Sequence, residues 1–288
     1  MTLRPILLRW HFPVLLLLIG LAGDPAWADF ARKPKEEPAA QQSPSLPNLW
    51  VFAIGINRYQ DHNLPANKYA VADAEAIVAV FQKQQGKLFK EVHTVLITDH
   101  SAVPPTRRQI LETLTYPKGA GPNELIVVFF AGHGEVDERG RFYLLPTDVA
   151  GSEIGTVRAT AIYGNELARN LDGPAQKLLL LDAAFSGSPS NGVLQGLQGV
   201  NAVVLTSGEG VATESGDLGH GHFTLAVLEG LSGKADANGD KSVSIKELDA
   251  YVSQRVPEVS KGRQRPVTYV SGQYVDFPVA SVESGANR

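Results

Sequence analysis

From residue 49 onward the apolar positions fall into two alternating patterns. Short continuous runs occupy 49–56 (LWVFAIGI), 92–97, 125–130 (LIVVFF), 178–181 and 202–205. Between them, apolar residues recur at three- and four-residue spacing, as at Tyr69, Val71, Ala72, Ala76, Ile77, Val80 and Phe81. The first pattern predicts buried strands and the second predicts helices at 69–81, 106–114, 163–171 and 223–231. A hairpin-like stretch is expected around Arg139-Gly140. Near-continuous apolar strands alternating with amphipathic helices predict an α/β fold, a mostly parallel sheet covered by helices on both faces.

Two segments precede this pattern. Arg4 and Arg9, an apolar stretch over 13–23 and the small-x-small sequence Ala26-Trp27-Ala28 predict a signal peptide, residues 1–28, cleaved after Ala28. The apolar stretch is short for a membrane span, so the mature protein is expected to be exported, periplasmic or extracellular, with no membrane anchor after cleavage. Residues 29–48 carry Pro34, Pro38, Pro44 and Pro47 without apolar periodicity and read as an extended linker.

Composition narrows the chemistry. The 288 residues include no cysteine, which removes disulfides, thiolate metal sites and a cysteine nucleophile together. The net charge is -4 and Lys and Arg are scattered, so no nucleic-acid partner is expected. Gly-x-Ser-x-Gly, His-Glu-x-x-His and Walker-type sequences do not occur.

In open α/β sheets the chemistry lies at the carboxyl ends of the strands. Two such ends stand out, Ala131-Gly132-His133-Gly134 and Asp182-Ala183-Ala184-Phe185-Ser186-Gly187. His133, between glycines, is the candidate base. His220-Gly221-His222 reads as a loop, since no third metal ligand accompanies it.

A set of ordered motifs carries a resemblance. Residues 51–59 (VFAIGINRY), Ala72-Asp73-Ala74, 127–134 (VVFFAGHG), 142–148 (FYLLPTD) and 220–231 (HGHFTLAVLEGL) resemble the caspase-like peptidases, family C14, in their bacterial metacaspase and orthocaspase branch. The resemblance covers 49–278, with a p20-like part at 49–187, a p10-like part at 200–278 and a tail at 279–288. It implies a three-layer sandwich around a mostly parallel six-stranded sheet, cysteine-type endopeptidase activity, and a monomer. It also implies that His133 is the base and that position 184 is the nucleophile, with the backbone at Gly134 and 184 as oxyanion donors. Position 184 is alanine. A methyl group has no lone pair with which to form an acyl intermediate, so peptide hydrolysis is expected to be absent. Ser186 is part of the family motif in its own right, and its expected role is in the turn.

The resemblance further implies an acidic pocket at Asp73 and Asp182, suited to Arg or Lys of a peptide or protein partner. Ala131 and Ala72 depart from the Ser and Asn usual in the family. A second constellation, 236–247, spaces oxygen ligands as an EF-hand loop does: Asp236, Asn238, Asp240, Ser242 by its carbonyl, Ser244 and Glu247. Lys241 stands where that loop needs glycine, so any calcium binding is expected to be weak. The competing role is a capping box, Ser244 with Glu247, at the start of a helix from Ile245. The expected function is a secreted pseudopeptidase that binds basic peptides or a partner. The alternative is a cysteine endopeptidase of Arg/Lys specificity whose nucleophile has been replaced by alanine.

Overall fold

The computed structural model describes residues 45–186, 196–197, 200–208, 214–215, 219–272 and 275–282. The expected signal peptide, most of the linker and the last six residues lie outside the described residues, as does Gly187 of the second motif.

The central sheet follows the order β11 (Val267–Ser271), β7 (Ala202–Thr206), β6 (Gln176–Ser186), β3 (Leu125–Val136), β1 (Leu49–Gly55), β2 (Val92–Thr98). Only β11 runs antiparallel along this path. The expected six-stranded, mostly parallel sheet is therefore present. Two short strands, β4 (Phe142–Leu144) and β5 (Ile162–Tyr163), extend it beyond the end of β1 through the distal half of β3. The β3–β4 connection is the hairpin expected at Arg139-Gly140.

Six helices cover the sheet among the described residues: α1 (Ala70–Gln82), α2 (Arg107–Thr113), α3 (Ile154–Thr160), α4 (Gly164–Asn170), α5 (His222–Glu229) and α6 (Ile245–Val259). Strand alternation sorts them into two layers. Leu49, Val51 and Ala53 of β1 and Val127 and Phe129 of β3 pack with Ile77, Phe81, Phe223, Val227 and Leu248, which come from α1, α5 and α6. The intervening Phe52, Ile54, Val128 and Phe130 pack with Ile110, Val157 and Leu167 from α2, α3 and α4. β1 and β3 thus bury both faces, which is why their sequences read as continuous apolar runs.

The structure lengthens two strands beyond their apolar runs. β3 continues from Phe130 through Gly134 to Val136, and β6 continues from Leu181 to Ser186, because each supplies the other with a parallel ladder from Leu125↔Gln176 to Glu135↔Ser186. His133 and Asp182 therefore lie within strands and not in loops after them. The sequence 220–222 is likewise not a loop: His220–Gly221 forms strand β9, paired with β8 (Glu214–Ser215), and His222 opens α5. Finally, β12 (Pro278–Ser281) pairs with β10 (Ser242–Ser244) and buries Val279 and Ala280, so these residues belong to the domain and not to a tail.

Candidate functional site

The site forms where β3 and β6 run past the rest of the sheet. In the register of that ladder His133 stands directly beside Ala184, and Ala131 beside Asp182. Neighbouring strands are about 4.8 Å apart. The chain thus brings the expected base and the expected nucleophile position side by side.

His133 is held from three directions. Its backbone N–H donates to the Tyr59 hydroxyl at 2.7 Å, and its ring stacks on the Tyr59 ring with centroids 5.0 Å apart. Its Nε2 lies 2.7 Å from the Pro65 carbonyl oxygen. A carbonyl only accepts, so Nε2 carries the proton and the lone pair of the neutral ring sits on Nδ1. That assignment leaves Nδ1 as the basic nitrogen. Gly132 makes the arrangement fit, because a Cβ there would lie 2.8 Å from the Tyr59 hydroxyl. Tyr59 is buried, and that burial raises the pKa of its phenol and keeps it neutral. Gly134, the expected oxyanion donor, sits in β3 between Leu144 of β4 and Phe185 of β6.

Asp73 and Asp182 both approach Gly221. Gly55 lets the start of α1 close onto the end of β1, since a Cβ there would collide with the Ala70 carbonyl. That approach brings Asp73, in the first turn of α1, over the sheet. Its side chain is buried and its Oδ1 lies 2.6 Å from His220 Nδ1, while Oδ2 accepts the Gly221 N–H at 3.1 Å. Asp182 accepts the Thr224 hydroxyl at 2.7 Å and the Thr224 N–H at 3.3 Å, in the first turn of α5. Helix N-terminal N–H groups and their dipole favour a carboxylate there. Both carboxylates border Gly221: a Cβ at that position would lie 2.6 Å from Asp182 Oδ2 and 3.2 Å from Asp73 Oδ2. The hydrogen bond to Asp73 raises the pKa of His220, outweighing the opposing effect of burial. The sequence does not single out Tyr59, Pro65 or Thr224, and it places His220 only in a loop; all but Pro65 fall inside the motif blocks quoted above. Pro65 carries no signal in the sequence, because its part is played by a backbone carbonyl.

The 236–247 loop is built on its own backbone. Asp236 accepts the N–H groups of Gly239 (2.8 Å) and Lys241 (3.1 Å), and Asp240 accepts that of Ser242 (2.8 Å). Asn238 accepts from the Asp240 N–H at 2.7 Å. Lys241 adopts φ 68°, the left-handed bend that the sixth position of such a loop requires, without glycine to ease it. Ser244 and Glu247 form the capping box of α6: Glu247 accepts the Ser244 N–H at 2.9 Å and Ser244 Oγ accepts the Glu247 N–H. Among the described residues no group of three or more His, Asp or Glu side chains is gathered as a metal site.

Comparison with known proteins agrees with this geometry. A search of curated proteins gives no match. Among solved structures, a crystal structure of a Geobacter sulfurreducens protein matches with TM-score 0.55 and 15% identity, over 80% of this chain and 95% of that one. That likeness concerns the fold alone. The family model of the caspase domain, peptidase C14, matches residues 49–277. The two strands that pair His133 with position 184 lie inside that match, and the chain belongs to the caspase domain family of peptidases.

Proposed function

We propose that this chain is an exported caspase-domain pseudopeptidase, which engages Arg- or Lys-bearing peptides at Asp73 and Asp182 and does not cleave them. The observation that carries the proposal is the ladder register that sets an anchored base, His133, opposite position 184, which the sequence makes alanine. In the acyl-transfer chemistry of the family a thiolate attacks the peptide carbonyl, and the base hands the proton to the leaving amine. Here Nδ1 of His133 has a lone pair to offer and no thiol to deprotonate. Removing the nucleophile from such a unit removes nearly all of the covalent route, whatever the base does.

Selectivity for a basic side chain follows from charge. Two carboxylates beside one backbone segment favour a guanidinium or ammonium and disfavour an acidic side chain. A second reading is supported by the same residues: with base and acidic pocket retained, the chain is a cysteine endopeptidase represented by its alanine form. One comparison separates the readings from simple loss of the site. The parent and Ala184→Cys are assayed against peptide amides ending in Arg, Lys or Asp.

Export belongs to the same proposal, on the strength of the 1–28 pattern, and the mass of the mature protein recovered outside the cytoplasm tests it. Weak calcium binding at 236–247 also belongs to it. Lys241, which takes the left-handed bend of the sixth position in place of glycine and adds a cation to the loop, keeps that binding weak.

A further inference from the structure

The acidic pocket has an occupant of its own. Strand β9 passes between Asp73 and Asp182, with Gly221 so close that a Cβ there would clash with Asp182 Oδ2 and press tightly on Asp73 Oδ2. One residue earlier, His220 holds Asp73 Oδ1 through Nδ1 at 2.6 Å, and its side chain is one-quarter exposed. A protonated imidazole is a planar, delocalised cation that donates N–H groups, the same chemistry by which a guanidinium binds carboxylates. From this geometry we infer that His220 is an intramolecular plug, which fills the Asp73 side of the pocket and must swing away before an Arg side chain binds. The inference rests on the reading of Asp73 and Asp182 as a pocket for basic side chains.

The plug has a sense of operation with pH. The Asp73 contact raises the proton affinity of His220. Below the raised value the ring is an imidazolium and competes directly with the incoming cation. Above it the ring is neutral and competes less, while a guanidinium keeps its charge throughout. Besides Asp73, three titratable residues stand next to Gly221 in space, in sequence or in the β8 ladder, while Glu75 and Glu229 lie further along α1 and α5. The three are Asp182 on β6, His222 at the buried start of α5, and Glu214, opposite Gly221 in the β8 ladder. All three are common to the parent and to every His220 variant, so a difference between those proteins isolates His220.

The test titrates an acetyl-Gly-Arg amide into the full-length parent, His220→Ala and His220→Gln by calorimetry, from about pH 6 to about pH 9. A competing hydrogen bond to a charged group predicts roughly tenfold or greater tightening in His220→Ala at the acid end, shrinking as pH rises. His220→Gln keeps a hydrogen-bond donor near Asp73 but cannot titrate, so its affinity should lose the pH slope seen in the parent. Equal affinity and equal slope in all three proteins overturn the plug and leave the pocket standing. Absence of Arg-peptide binding in all three, each shown folded by its thermal transition, overturns the pocket and the plug together. An acetyl-Gly-citrulline amide, lacking the charge, should bind none of them measurably.

Discussion

Replacing Tyr59 by Phe tests how the base is held. The substitution removes one oxygen and keeps the ring that stacks on His133 at 5.0 Å. It leaves the His133 N–H without the acceptor it has at 2.7 Å, beside a phenol position only 6% exposed. Loss of a partner by a buried donor costs about 1–3 kcal/mol. His133 is half-buried, so the lower part applies, about 1–2 kcal/mol. For a domain of this size each kcal/mol moves the midpoint by roughly 2–4 °C, which predicts a fall in Tm of about 2–8 °C. Differential scanning calorimetry of parent and Tyr59→Phe reads this directly, and urea unfolding should show a lower midpoint at unchanged slope. In the Ala184→Cys background the same change should also lower kcat more than it raises KM, because it loosens the base and not the pocket. A Tm within about 1 °C of the parent would refute the assignment of the hydroxyl as the anchor of β3 at His133.

Two further outcomes follow from the ion pairs and the loop. Asp137, whose side chain has no exposure, bonds Arg141 and Arg158. Burial pushes its carboxyl up, but the Arg141 side chain and the N–H groups of Arg141 and Arg139 prevail and hold it at about 2. Its contribution to stability is thus present above the ordinary carboxylate range and lost as pH falls toward about 2. Asp137→Asn should cost about 2 kcal/mol at neutral pH, discounted because both guanidinium groups are about one-third exposed, and the gap to the parent should close in acid. A gap independent of pH would contradict this. At the loop, calorimetric calcium titration of the parent should give a weak signal that Glu247→Ala abolishes; no signal from the parent leaves Glu247 with its capping role alone.

The fold was largely legible because its core strands are buried on both sides. Runs such as 125–130 and 178–181 have no polar face to hide their identity, and the helix at 69–81 shows its apolar stripe directly. What escaped depends on partners distant in sequence. Ala131-Gly132-His133-Gly134 and Ala183-Ala184 carry little strand propensity, and only the ladder between β3 and β6 keeps them extended. Helix α3, with Gly155, Thr156, Val157 and Thr160 in seven residues, is a poor helix by propensity and is fixed by Val157, which is fully buried in the core. The site was legible where the motif names a side chain: Asp73 and Asp182 both border Gly221, and His133 stands beside position 184 in the ladder. It was not legible at His220, which the lack of a third metal ligand left in a loop. Its role arises because Gly221 fits between carboxylates 148 and 39 residues away in the chain, a contact that no local pattern encodes.

The central claim, that one missing sulfur separates this chain from the activity of its family, is tested most directly by a single comparison. Parent and Ala184→Cys, purified alike, are incubated with peptide amides ending in Arg, Lys or Asp, and release of the amine is followed. The account predicts no release by the parent, and release after Arg or Lys but not Asp by the variant. Hydrolysis by the parent, or a folded variant that cleaves none of the three, would contradict it.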